Sequence, residues 1–169
     1  MPLPSTMTPI ATITLGNATT DTVTFSNISS TYTDLVVIIN TGGTTSTLSS
    51  LQMRFNSDTG SNYSTTTLYG TGSASASGRY TSQTKMIIGN IVAALPLDVK
   101  SNCIVQIQNY SNATTNKTAL ARFNDSANDV NATISLWRNT NAITTVTFFT
   151  PLSYFANTSF FTLYGVKAA

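Results

Sequence analysis

The chain has no histidine and no glutamate among its 169 residues, a single cysteine, and only 8% charged side chains. Each shortage closes a class of function. Histidine is the usual general base and the commonest metal ligand, and glutamate is the other frequent proton carrier. Ser-His-Asp and Cys-His arrangements are therefore excluded, and zinc, deaminase and most hydrolase chemistry has no machinery. One thiol excludes an intrachain disulfide. Cys103 alternates in phase with Val105 and Ile107, the pattern of an inert core cysteine rather than a nucleophile. The eight Lys and Arg stand singly from Arg54 to Lys167, with a formal charge of +2. No basic cluster exists to neutralise a row of phosphates, so nucleic acid is not an expected partner. No basic-then-apolar leader opens the chain. The longest aliphatic run, Leu35-Val36-Val37-Ile38-Ile39, is far short of the ~20 residues that span a bilayer, so no membrane is expected either.

What fills the space is hydroxyl. Ser and Thr make up roughly a third of the chain and 41% is apolar, enough for a real core in one domain. Disorder pairs low hydrophobicity with high net charge, and this chain has neither. Asn-x-Ser/Thr triplets such as Asn17-Ala18-Thr19 and Asn131-Ala132-Thr133 arise from this composition and are not read as glycosylation sites.

Residues 1–9 carry Pro2, Pro4 and Pro9 and read as an extended arm of polyproline character. Residues 10–169 read as a single all-β domain. Ile13 and Leu15, Val23 and Phe25, and Leu51, Met53 and Phe55 alternate with polar residues, the signature of half-buried strands with threonine on the wet face. Residues 35–39 form a continuous run, a candidate for a strand covered on both faces. Further strands are predicted over residues 65–69, 79–91, 103–110, 118–123, 133–138, 143–149 and 160–166. Turn chemistry separates them, and residues 42–50 and 70–78 read as Gly/Ser/Thr loop tips. About ten strands without helical periodicity point to an antiparallel sandwich. A jelly roll is favoured over an immunoglobulin fold, whose Cys…Trp…Cys signature one cysteine cannot supply.

Three features invite a functional reading. Asn56-Ser57-Asp58-Thr59-Gly60 superficially matches a calcium loop, but its Gly comes at the fifth position and no terminal Glu exists. A turn in which Asp58 bonds local amides is the favoured reading. Paired carboxylates for glycoside hydrolysis would draw on Asp21, Asp34, Asp58, Asp98, Asp125 and Asp129, nearly all in turn contexts, so catalysis is not expected. The aromatic residues are more informative. Alternation puts Trp137 with Thr133 and Ser135, Tyr69 with Thr65 and Thr67, and Tyr164 with Thr162, on what reads as polar faces. Two readings stand: the rings pack beneath the loops of a two-sided sandwich, or, since Tyr, Trp and Arg are enriched at interface hot spots, Tyr69, Trp137, Arg138 and Tyr164 mark a subunit or partner surface.

The run Met53-Arg54-Phe55-Asn56-Ser57-Asp58-Thr59-Gly60-Ser61-Asn62-Tyr63 resembles a group of small virion proteins of tailed bacteriophages. So do Tyr32-Thr33-Asp34-Leu35-Val36-Val37, Leu68-Tyr69-Gly70, Gln108-Asn109-Tyr110-Ser111, Leu136-Trp137-Arg138 and the segment from Phe161 to Ala169. The likeness covers nearly the whole chain past the arm, and Ser57 stands where the resembled run has Gly. It implies a jelly-roll module of a head decoration (cement) protein or of a fibre tip, with no catalytic residues and no cofactor. Size and composition lean toward decoration. The resemblance implies a homo-oligomer, a trimer suiting the threefold positions of a capsid, with the major capsid protein as partner. Pro2, Leu3, Pro4 and Pro9 would then form the bridging arm to a neighbouring subunit, and the expected location is the virion surface.

Overall fold

The computed structural model describes residues 6–17, 19–44, 49–91, 100–124 and 129–167. Those residues contain twelve strands and no helix. In chain order they are β1 (Met7–Thr14), β2 (Thr22–Phe25), β3 (Asp34–Thr41), β4 (Ser49–Phe55), β5 (Tyr63–Gly70) and β6 (Ser75–Gln83). The second half supplies β7 (Met86–Ile91), β8 (Ser101–Gln108), β9 (Lys117–Asn124), β10 (Val130–Trp137), β11 (Val146–Phe149) and β12 (Phe160–Val166).

Two antiparallel sheets pack face to face. The larger has eight strands in the order β1-β12-β3-β8-β9-β10-β5-β6, and the smaller has four, β2-β11-β4-β7. The pairing is nested: β1 lies against β12, β2 against β11, β3 against β8 and β4 against β7. Two hairpins, β5–β6 and β9–β10, interrupt this nest. They join each other through the β10–β5 ladder and widen the larger sheet on the side where β7 packs against β9, β10 and β5.

The core fills the space between the sheets. Leu35, Val37 and Ile39 of β3, Leu51, Met53 and Phe55 of β4, and Cys103, Val105 and Ile107 of β8 are all buried there. Phe148 of β11 packs between Phe25 and Phe161, its ring centroid 6.5 and 5.7 Å from theirs. Close approach is built in at Gly89 of β7, where a Cβ would stand 2.4 Å from the ring of Phe123 on β9.

Four expectations need correction. Residues 35–39 are buried on one face only: Val36 and Ile38 are half-buried on the outer face, shaded by neighbouring strands. The stretch 79–91 is two strands in different sheets, because the chain bends at Thr84 and Lys85 between β6 and β7. Residues 75–78, read as loop, are the first half of β6. Small residues with poor strand propensity are held extended there by pairing with β5. Finally, the expected arm is shorter than nine residues: Met7, Thr8 and Pro9 pair with Val166, Gly165 and Tyr164 as the opening of β1. Pro2, Leu3 and Pro4 lie outside the described residues.

Candidate functional site

The run that carries the resemblance folds into a latch rather than a reactive site. Phe55 to Asp58 is a tight turn in which the Asp58 N–H donates to the Phe55 carbonyl at 2.9 Å. Both central residues, Asn56 (φ 49°) and Ser57 (φ 56°), are left-handed, as a type I′ turn requires. Asn56 then stitches this turn to the segment before β11. Its amide donates to the Ala142 carbonyl at 2.8 Å, and its oxygen accepts the N–H groups of Thr144 (2.9 Å) and Thr145 (3.1 Å).

Asp58 is the hub. Its Oδ1 accepts the Gly60 N–H at 2.7 Å, and its Oδ2 accepts the Asn62 amide at 2.9 Å and the Trp137 indole N–H at 2.7 Å. Burial pushes this carboxyl's pKa up, but the three donors outweigh that and hold it below the ordinary carboxylate value. Trp137 stacks on Tyr63 with ring centroids 6.3 Å apart and meets Phe55 edge-on at 5.6 Å. The Tyr63 hydroxyl donates to the Phe55 and Asp58 carbonyls, and burial raises its pKa to about 12. With its oxygens committed to N–H donors, Asp58 acts as an acceptor for the fold, as the turn reading expects.

The four candidate interface residues do not form one patch. Trp137 is 1% exposed and belongs to the core, which corrects its reading as a surface ring. The reason is that the hydroxyl face of β10 points inward: Thr133 and Ser135 are buried beside it. Across the β5–β10 ladder Ser135 pairs with Thr65 at 2.9 Å, and Thr133 donates to Thr67 at 3.2 Å, so the hydroxyls satisfy one another. Tyr69 is 37% exposed on this same inner face, at the far end of β5, beside Tyr80, Ile87 and Asn131. Arg138 is exposed just past β10, where its guanidinium donates to Ser64 at 3.1 Å. Tyr164 is half-buried on the opposite, outer face of the larger sheet, across from Val36 and Pro9.

What alternation hid is on that outer face. Leu68, Val130 and Ile134 are 57, 63 and 59% exposed. The ladders set Ala132 between Leu68 and Arg122, and Ile134 between Thr66 and Leu120. A groove of about 890 Å³ runs over these strands, lined by Leu68, Val130, Ala132 and Ile104, with Arg122 rising between Ala132 and Ile104 and Asn124 beside it. One signal pointed the right way: Leu120 alternates in phase with Thr118, Arg122 and Asn124, opposite Ala119, Ala121 and Phe123, which places it on the polar, outer face of β9. Lys117 is fully buried, and its ammonium donates to the carbonyls of Thr115 (2.6 Å) and Thr140 (2.9 Å). Burial lowers its pKa.

The remaining chemistry is local. Asp34 accepts the Asn109 N–H at 2.6 Å and Asp21 the Thr22 hydroxyl at 3.0 Å, while Asp98 and Asp125 lie outside the described residues. Cys103 is buried and its thiol is pushed up to about 12, as an inert core cysteine requires. Among the described residues no group of three acidic, histidine or cysteine side chains converges as a metal site. No protein-family model and no curated protein matches the chain.

Proposed function

We propose that this chain is a structural virion protein of a tailed bacteriophage, a homo-oligomeric jelly-roll cement protein that decorates and reinforces the capsid. The observation that carries this reading is the aliphatic outer face of the larger sheet. Leu68, Leu120, Val130 and Ile134 stand exposed on a rigid, hydrogen-bonded plane. Apolar surface of this kind on an ordered sheet holds another protein surface. The nested strand pairing also supports the jelly-roll assignment, because a jelly roll is a long hairpin rolled across two sheets. The partner is the major capsid protein, and no nucleic acid, membrane, cofactor or catalytic step enters the role.

A gel of purified particles tests it. A cement protein is present in hundreds of copies per virion, and a few tens or fewer would overturn the assignment. That lower number belongs to the second reading, a receptor- or carbohydrate-binding module at a head- or tail-fibre tip. The groove's polar groups favour this alternative, since Asn102, Arg122 and Asn124 place amides and a guanidinium among its apolar side chains.

A further inference from the structure

The larger sheet has two edges, β1 and β6, and they differ. On β1 the Lys167 N–H donates to the Thr6 carbonyl, so by alternation Thr8 faces β12 while Met7 and Pro9 face the open side. Pro9 offers no N–H there, and the ladder bulges between Pro9 and Ala11. A proline and a bulge are how sheets refuse further strands.

β6 has neither defence along residues 75–80. It leaves β5 through a two-residue turn with Gly72 at φ 82°, closed by the Thr71 N–H on the Ala74 carbonyl at 2.9 Å. Counting outward from that bonded pair, Ala76, Gly78 and Tyr80 direct their backbone groups at Tyr69, Thr67 and Thr65. Ser75, Ser77 and Arg79 therefore point their N–H and C=O groups away from β5, and no strand among the described residues meets them. The next outward carbonyl, that of Thr81, accepts the Gln83 amide at 2.9 Å and closes the open stretch. Both faces of β6 are exposed nearly throughout.

We propose that β6 pairs antiparallel with β6 of a second copy, about a twofold axis at Ser77. The occupant is a second copy: of the larger sheet's two edges only β6 is open to a further strand, and a second copy brings an identical open edge. Head-to-tail growth from β6 onto β1 meets Pro9, whereas β6 on β6 uses the same open edge twice and closes. Centring on Ser77 sets Ser75 of each copy opposite Arg79 of the other. All the outward groups of Ser75, Ser77 and Arg79 are then paired, and the two Arg79 guanidinium groups lie on separate rungs. The small side chains of Ser75, Ala76, Ser77 and Gly78 let the backbones approach. This claim concerns the chain alone in solution, so it stands or falls separately from the copy number on particles.

Ser77→Pro removes an outward N–H that no ladder bond of the monomer uses. Native mass spectrometry at micromolar concentration should give a dimer for the unaltered chain and a monomer for Ser77→Pro, whose far-UV circular dichroism should stay that of the folded all-β chain. Ser77→Cys supplies the independent test. Directly opposed residues of a bonded antiparallel pair lie ~5.5 Å apart at Cα, with Cβ atoms somewhat too far apart for an unstrained disulfide but within reach of a short bifunctional thiol reagent. Such a reagent should link Ser77→Cys into a covalent dimer and leave Ser75→Cys unlinked. A monomeric unaltered chain, an assembly unchanged by Ser77→Pro, or a Ser77→Cys protein that stays unlinked would each overturn the pairing. A chain that gains a strand only on particles would assign the edge to another protein.

Discussion

The indole N–H of Trp137 donates to Oδ2 of Asp58 at 2.7 Å, joining positions 79 residues apart in the sequence. The bond fixes the β4–β5 turn against the end of β10, and Tyr63 and Phe55 close over the indole. Trp137→Phe keeps most of the ring burial and removes the donor. The expected loss is about 1–3 kcal/mol of unfolding free energy, measured by urea denaturation. An unchanged midpoint would mean that solvent replaces the indole at no cost.

The same carboxylate sets an acid limit. Its folded pKa is depressed, so its contribution is complete above the unfolded value of ~3.9 and is lost as pH falls through the lower folded value. Melting temperature should therefore fall more steeply below about pH 4 in the unaltered chain than in Asp58→Asn. Parallel acid limbs for the two proteins would remove Asp58 from the account.

Adjacent left-handed residues should respond with opposite signs. Ser57 has φ 56° and a side chain that bonds nothing described here, so Ser57→Gly should stabilise by about 1 kcal/mol. Asn56 has φ 49°, but its amide holds Ala142, Thr144 and Thr145. Asn56→Gly should lower stability by about 1–3 kcal/mol despite relieving the same backbone strain. Paired denaturation curves of the two variants decide it.

The outer aliphatic face should matter to assembly and not to folding. Leu68→Ser with Ile134→Ser should leave stability within about 0.5 kcal/mol per site, because both side chains are largely exposed. On particles the double variant should be depleted. The unaltered protein should stay bound through molar NaCl, since apolar burial is little screened by salt. Release by moderate salt would assign the contact to charges.

Where hydrophobic alternation was clean, the strands were legible: Val23 and Phe25, Leu51, Met53 and Phe55, and Cys103, Val105 and Ile107 all face the core. β10 was not. Its inner face is built from Thr133, Ser135 and Trp137 and its outer face from Ile134 and Leu136, so polarity alone inverts the strand. The buried hydroxyls are tolerable because each has a cross-strand partner on β5, and that pairing is invisible until register is known. The first half of β6 was missed for a related reason. Ser-Ala-Ser-Gly has no strand preference of its own and is ordered by its neighbour. The Asn56–Gly60 run was recognisable as a turn, but its tie to Trp137 reaches across 79 residues of sequence.

The nested pairing also dictates when the sheet can close. β1 has one neighbour in its sheet, β12, and β12 also fills the gap between β1 and β3. As the chain leaves the ribosome, Met7 to Thr14 wait without a partner until Val166 has emerged. At ~5–20 residues per second, that wait lasts roughly ten to thirty seconds. β1 is thus secured late, and a nascent chain stalled before Phe160 holds both β1 and one side of β3 without the strand that pairs them. Limited proteolysis of such stalled chains should cut within residues 7–14, and the cut should vanish once β12 is complete.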